Sequence, residues 1–596
     1  MQLRTVVIFF NEKIMKSYIV ILLSIFIASG LYSANRINYL QPVPDAKYVN
    51  TENSVTIGFD TKIDLPQSEI LKCIKVIDSD NNFYMGTITK CEDDKTIIFN
   101  HALPFVPGKK ISVKIDGKLL KTFSLRNEMY EYSFYTAKQK VNWNPLNSIE
   151  EEIPQMNDAL PVPPELYVTM NNNPSDGFLF LTPFSGTSFL EITDKNAQPY
   201  WYLQANGFCG DFKEQPNGNL TYYNGELHKH FELDYNYNKI DSFQCGNGYV
   251  TDIHELRILI NGHALLLAYD PEFVDMSLIV PGGNPNATVT GLIIQELDEN
   301  KNVVFQWRSW DHFLITDALH ENLLANNIDC VHGNAIEKDN DGNLIISSRH
   351  LDEITKINRS NGNIIWRLGG LHNQFTFIND TLHFNYQHAV RRISNGNITI
   401  YDNGNFHSPS FSRAVEYSID EVNKTATLVW QYRNNPDIFG SWGGYVQRLE
   451  NGNTFISWGG ISPAVSEVKP NGALVFSAVY PAGVYTYRAY KFNYNGSPVS
   501  TGQTPLTAPQ KYSLNQNYPN PFNPSTIIKY SIKSSSYVEL YVTDAAGRIV
   551  KILASSNQQA GDYSVSFDGS NFASGIYFYT LSAGGYSETK KMILMK

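Results

Sequence analysis

The sequence predicts an all-β chain, and three observations carry that expectation. Glycine and aromatic residues are abundant, 40 Gly and 13% Phe, Trp and Tyr, while charged residues make up only 18% of the 596 positions. Short runs alternate apolar and polar residues, the period-two pattern of half-buried strands. Asn-Gly and Asp-Gly pairs punctuate the runs and favour tight hairpins, whose central residues adopt positive φ. The chain is too long for one core, so several domains are expected. A net charge of −11 gives no reason to expect nucleic-acid binding, and there is no basic stripe, no zinc-spaced cysteine set and no phosphate-cradling glycine loop.

In chain order, the first element is an address. From Met15, "MKSYIVILLSIFIASGLYSAN" joins a lysine, an apolar core and small residues near Ser33 and Ala34. That is a signal-peptide pattern over 1–34, with Met15 the expected true start. No other run of about 20 apolar residues follows, so no stable membrane span is expected. Five cysteines in an exported chain raise disulfides: Cys73 with Cys91, and Cys209 with Cys245, lie close enough in sequence to pair. Cys330 is left over and reads as a buried inert thiol.

Residues 36–140 hold short alternating runs such as "SVTIGFD", "TIIFN" and "ISVKIDG" and predict an Ig-like β-sandwich that spaces or docks its neighbour. The proline-rich "NDALPVPPELYV" marks a boundary. A repeat then runs over 160–495: "PSDGFLFLTPF", "QPNGNLTYYNG", "LINGHALLLAYD", "DNDGNLIISSRH", "ISNGNITIYDNG" and "LENGNTFISWGG". Their turn glycines, Gly177, Gly218, Gly262, Gly342, Gly396 and Gly452, are spaced by 41, 44, 80, 54 and 56 residues. A second hairpin phrase follows most of them. Two hairpins make one four-stranded blade, so six repeats predict a six-bladed β-propeller. A pair of β-sandwiches is the alternative fold, but it does not explain the repeat. The 80-residue interval holds an insertion, "WDHFLITDALHENLLANNIDC", expected to carry a short helix on one face.

The repeat glycines serve as a ruler. His254 and His388 each lie 8 residues before their glycine, and His332 lies 10 before its own. Even offsets put side chains on one face of a regular strand. In two other repeats offset 8 falls on Gly210 and Gly444, and in the first on Thr169. Innermost propeller strands line a central channel, so the ruler predicts a pocket lined by three histidines beside small residues. A lone strand histidine is usually structural, whereas three at matched repeat positions point to a site. Such a cluster fits a metal site, though no carboxylate shares the ruler position and Glu255 and Asp329 are only nearby. It equally fits covalent catalysis with anion binding, for which Arg349 in "NLIISSRH" offers a fixed planar cation. "HKH" (His228, His230) has a metal-like spacing without a third ligand. His263, His350, His372, His383 and His407 have no repeat logic and read as surface or packing residues. Tyr386, Trp442 and Trp458 are candidates to pack on an aryl ring or in the core.

The phrases "DIHELRILINGHALLL", "DCVHGNAIEKDNDGNLIISSRHLDEITKINRSNGNIIWRLGG" and "FNYQHAVRRISNGNITIYDNG" resemble the bacterial arylsulfotransferase family, the kind that needs no nucleotide sulfate donor. The resemblance spans 160–495. It implies a six-bladed propeller behind an N-terminal β-domain, and ping-pong transfer of a sulfuryl group from an aryl sulfate donor to a phenolic acceptor through a sulfated histidine. By position in "FNYQHAVRR" the nucleophile carries over to His388. His254, His332 and Arg349 carry over to positions that hold sulfate oxygens, and Asn334 to a polar contact. No metal and no cofactor are expected.

Beyond the Ser/Thr/Pro-rich linker at 497–511, residues 512–596 read as a small β-sandwich. "NYPNPFNPSTIIKY", "DAAGRIV", "ASGIYFYTL" and "KKMILMK" resemble the C-terminal sorting domain of type IX secretion cargo. That implies type IX machinery as a partner and a secreted or cell-surface destination reached through the periplasm. Two other functional readings stay beside the leading one: a non-catalytic secreted propeller that binds glycans or proteins, and a metal-dependent propeller hydrolase or lyase.

Overall fold

A computed structural model gives the fold and describes residues 36–120, 129–141, 162–205, 207–494, 511–517, 519–534, 536–558 and 561–595. The expected leader and most of the expected linker lie outside these residues. The chain is all-β, with only short helical turns among the described residues, and it divides into two compact units between Ser497 and Pro498.

The first unit begins with two antiparallel sheets around one core. Four strands, Ile37–Gln41, Val55–Phe59, Thr96–His101 and Gly86–Lys90, face three others, Ile74–Asp78, Lys110–Ile115 and Tyr130–Tyr135. Val55, Ile57, Phe99, Ile111, Val113 and Phe134 fill the space between, supplied by alternating positions. A one-and-a-half-turn helix, Gln67–Lys72, crosses between the sheets.

Six sheets follow, each built on a run of four antiparallel strands, with further strands added to four of them. Five of them open with strands Cys209–Glu214, Val250–Ile258, Gly333–Lys338, His388–Arg392 and Tyr445–Arg448. Gly218, Gly262, Gly342, Gly396 and Gly452 sit in the hairpins after these strands with φ of 77–89°, a conformation that favours glycine. The first repeat differs from the ruler's expectation. The strand before Gly177, Tyr167–Asn171, pairs with Leu474–Val479 of the sixth sheet, and the first strand of its own sheet comes from the end of the unit, Tyr490–Phe492, paired with Phe178–Leu181. Both ends of the repeat region are thus tied across to each other's sheets. The opening strands touch in succession, and Tyr445–Arg448 touches Tyr490–Phe492, which touches Cys209–Glu214 again.

The N-terminal sheets are pinned to the third sheet of the repeat. Tyr39 Oη donates to the Gln306 carbonyl at 2.7 Å and accepts from its backbone N–H at 2.8 Å. Arg308 donates to the Lys47 and Tyr48 carbonyls, both at 2.9 Å.

All five cysteines are buried and unpaired, which corrects the suggested disulfides. Cys73 immediately precedes a strand of the three-stranded sheet and Cys91 immediately follows one of the four-stranded sheet. Cys245 Sγ faces the Leu267 carbonyl at 3.5 Å, within the third sheet's core.

The second unit holds a three-stranded sheet (Ser513–Leu514, Ser525–Ile532, Gly561–Asp568) and a four-stranded one (Ile549–Gln558, Ser536–Thr543, Gly575–Ala583, Tyr586–Leu594) around Ile528, Val538, Leu540, Tyr579 and Met592. Among the described residues no helix is long and apolar enough to cross a membrane.

Candidate active site

The opening strands of the third and fifth sheets carry His254 and His388, and His332 immediately precedes the opening strand of the fourth; the three meet. Their ring centroids lie 5.1 Å (His254–His332), 6.5 Å (His254–His388) and 6.4 Å (His332–His388) apart. None of the three exceeds 3% exposure. They stand on local irregularities. Thr251 opposes Ala268 while Leu256 opposes Leu266, so the residues between, His254 among them, bulge from the ladder. Ala389 and His332 adopt left-handed φ of 60° and 50°, and the ladder slips between His388 and Arg391 and again between Gly333 and Ala335.

Each imidazole has an acceptor behind it. His254 Nδ1 meets Asp252 Oδ1 at 2.5 Å, His332 Nδ1 meets Asp329 Oδ2 at 2.8 Å, and His388 Nδ1 meets Asn403 Oδ1 at 2.7 Å. Asn403 donates its own amide to the carbonyls of Gly440 and Gly443, which orients its oxygen toward His388. With each Nδ1 engaged, Nε2 is the nitrogen left to face the cluster. Burial, reinforced by Arg349 and the other two imidazoles, holds His388 well below its ordinary pKa. Burial, then His254 and Arg349, do the same for His332. Both are therefore neutral, and His388 Nε2 carries a lone pair.

Arg349 is 4% exposed and lies over the Tyr386 ring at 4.3 Å. Its guanidinium donates to His350 Nε2 at 2.8 Å and to the Ser441 carbonyl at 2.9 Å. His350, read from the sequence as surface or packing, belongs to this site. Its ring lies 4.7 Å from that of His332, its Nδ1 donates to the Asp329 carbonyl at 2.5 Å, and burial lowers its pKa to about 3. Asn334 is buried beside the cluster, giving one amide N–H to the Gln387 carbonyl at 2.8 Å.

The glycines at the equivalent positions do not leave open space, contrary to the pocket expected of them. A Cβ at Gly444 would stand 2.3 Å from the Tyr401 ring, and one at Gly210 would stand 2.8 Å from Ile253. They admit neighbouring side chains. Trp458 is core, packed with Tyr401, whereas Trp442 stacks parallel to Tyr487 at 6.5 Å. Tyr487 faces His254 and His388, with ring centroids 5.5 and 6.4 Å away.

Sequence reasoning missed the layer beneath. Arg488, fully buried, donates to the carbonyls of His254 at 2.9 Å and Asn334 at 2.5 Å. Glu255 bonds Lys213 and Arg391 and lies 3.4 Å from Arg488. Burial pushes its carboxyl up, but the three cations outweigh burial and hold it low. Their charged residue types in strand positions were the available signal, since buried charges require partners. The insertion carries two short 3₁₀ helices, Ser309–Asp311 and Ile315–Asp317, where a short helix was expected. Beyond them, Glu321 accepts from the Tyr386 hydroxyl, and His320 stacks on Phe406 at 3.6 Å. The HKH pair joins no metal-competent group among the described residues; His230 is buried with Nε2 toward the Asp252 carbonyl at 3.4 Å.

The arylsulfotransferase (ASST) family model matches residues 152–491, more than half of the chain. The chain belongs to the arylsulfotransferase family. This supports an arylsulfotransferase-type activity for the sheets that carry the histidines. A secretion-system C-terminal sorting domain matches residues 516–595, so this arylsulfotransferase-family chain is a type IX cargo bound for secretion or the cell surface. No curated protein matches it. Among solved structures it is similar to a protein of unknown function from Bacteroides caccae (13% identity, 54% of this chain and 100% of that one, TM-score 0.35). It is also similar to virginiamycin B lyase from Staphylococcus aureus (10%, 52% and 88%, 0.28) and to PorZ, a surface component of the type-IX secretion system of Porphyromonas gingivalis (10%, 94% and 82%, 0.28). Scores this low carry no argument about the present fold or activity.

Proposed function

We propose that the chain transfers a sulfuryl group from an aryl sulfate ester to a phenol, by a ping-pong mechanism through a sulfohistidine on His388. The six sheets are read as a closed six-bladed propeller over 160–495, behind an Ig-like sandwich at 36–140 and ahead of a sandwich-type sorting domain at 512–596. The observation that carries the reading is the neutral, Asn403-oriented His388 facing two carboxylate-backed imidazoles, with Arg349 close enough to depress its pKa.

In this reading the His388 Nε2 lone pair attacks sulfur, the N–S bond forms as the bridging S–O bond breaks, and the phenolate leaves. Charge in such in-line transfers spreads over the peripheral oxygens. Arg349 and the imidazoles of His254 and His332 face those oxygens, with Asn334 supplying its second amide N–H, so catalysis is mostly positioning and electrostatics. In this reading one of His254 and His332 carries the proton that the leaving oxygen takes once the anionic ester is bound. That histidine later takes the proton of the incoming phenol, whose oxygen attacks sulfur as the N–S bond breaks.

The test is covalent. The full-length protein is mixed with an aryl sulfate, quenched, and its peptides weighed. A sulfuryl adduct on the peptide containing His388, discharged by added phenol, is expected. Phenol release that survives His388→Asn would overturn the reading.

A further inference from the structure

The three imidazoles are also arranged as metal ligands. One nitrogen from each of His254, His332 and His388 lies within 4.8 Å of the other two. A histidine that binds a metal through one nitrogen almost always donates the other N–H to a carboxylate, a carbonyl or a water, which fixes its tautomer and raises its basicity. Here all three Nδ1 positions are so engaged, by Asp252, Asp329 and the Asn403 carbonyl oxygen. That leaves the three Nε2 atoms, in a buried space, as the ones available to an ion. A tetrahedral ion with bonds of about 2.0–2.1 Å places its nitrogens about 3.4 Å apart, so binding draws the three rings closer together.

A second group, Asp329, His332 and His350, is similarly close. There His350 donates Nδ1–H to a carbonyl and accepts at Nε2 from Arg349, so neither nitrogen is open. The first group needs no hydrogen bond broken. Arg349 opposes a dication, but the Asp252 and Asp329 carboxylates, each bonded to a ligating ring, offset that charge. Neutral imidazoles suit zinc, copper and their neighbours and are poor ligands for magnesium or calcium.

We propose that His254, His332 and His388 form a three-histidine site for a zinc-class dication, with the fourth position open, and that a metal-loaded site cannot be sulfated. The exclusion follows because coordination occupies the lone pair of His388 that attack on sulfur uses. Binding is independent of the sulfuryl-transfer reading; the exclusion rests on it.

The experiment titrates chelator-treated full-length protein with Co²⁺ and follows its visible absorption, then displaces it with Zn²⁺. One equivalent of intense, zinc-displaceable absorption is expected. His254→Asn and His388→Asn remove it, His350→Asn keeps it, and Asp252→Asn weakens binding about 10–100-fold. No stoichiometric absorption, or loss in His350→Asn with retention in His254→Asn, overturns the site. On the same samples, one equivalent of zinc is expected to stop phenol release from an aryl sulfate, competitively with the donor. Release unaffected by bound zinc overturns the exclusion. Bound cobalt in a protein that releases no phenol even metal-free upholds the metal site and removes the transfer reading alone.

Discussion

His388 gives its Nδ1–H to Asn403 Oδ1 at 2.7 Å, and Asn403 is itself held by the Gly440 and Gly443 carbonyls. This relay decides which nitrogen of His388 is free. Asn403→Ala removes it without unpairing a charge. We expect kcat to fall about 100-fold, the scale of a reacting group displaced by about 1 Å, with the circular dichroism spectrum unchanged. An unaltered kcat would show that the relay does not orient the nucleophile.

Arg349 is held by His350 Nε2, the Ser441 carbonyl and the Tyr386 ring. Arg349→Lys keeps the charge but loses the planar fork that makes these contacts. Losing one preorganised donor to developing negative charge costs about 10²–10³-fold. First-turnover phenol release should slow by that factor, and a near-normal rate would remove Arg349 from the reaction.

Burial lowers His230 and His350 from 6.5 to about 3. The unfolded chain therefore takes up protons as pH falls through 6.5 while the folded chain does not. Stability is fully present above that value and declines between pH 6.5 and about 3. At pH 5 each group costs about 2 kcal/mol. Urea midpoints at pH 7 and pH 5 measure the loss, to which the depressed His332 and His388 also contribute, and His230→Gln, which can still donate to the Asp252 carbonyl, should recover its own share of about 2 kcal/mol. The lowered pKa of His388 has a kinetic counterpart: the rate of its sulfation should show no acid limb near pH 6.5.

The three histidines were legible because their irregularities share a parity. Between the paired positions Thr251–Leu256, Gly333–Ala335 and His388–Arg391, each strand carries an odd number of residues more than its partner. His332 and His388 both lie beyond a one-residue slip and are turned by the same half-period, while His254 sits inside the larger bulge, so a ruler built for regular strands still grouped them. It failed at Gly177, where the preceding strand crosses to another sheet, since pairing between chain ends leaves no local pattern. His350 was invisible for a different reason. It follows Arg349 in a 3₁₀ turn that reverses its side chain into the cluster, and strand periodicity carries no information there. Asn403 and Arg488 act through hydrogen bonds to groups far along the chain, which residue type alone does not reveal.

The last prediction concerns the charges beneath the site. Glu255 accepts from Lys213 and Arg391 and sits 3.4 Å from Arg488, all four with almost no solvent contact. Removing one member of a buried set strands the others' charges and costs about 3–5 kcal/mol. Glu255→Ala should cost that much in urea unfolding. Arg488→Met should cost a similar amount and do more, because Arg488 also ties the backbone carbonyls of His254 and Asn334 together. If that tie spaces the cluster, Arg488→Met lowers kcat in the surviving folded fraction while Glu255→Gln, which keeps the shape, lowers stability more than rate. Equal rates in the two folded variants would confine the layer to stability.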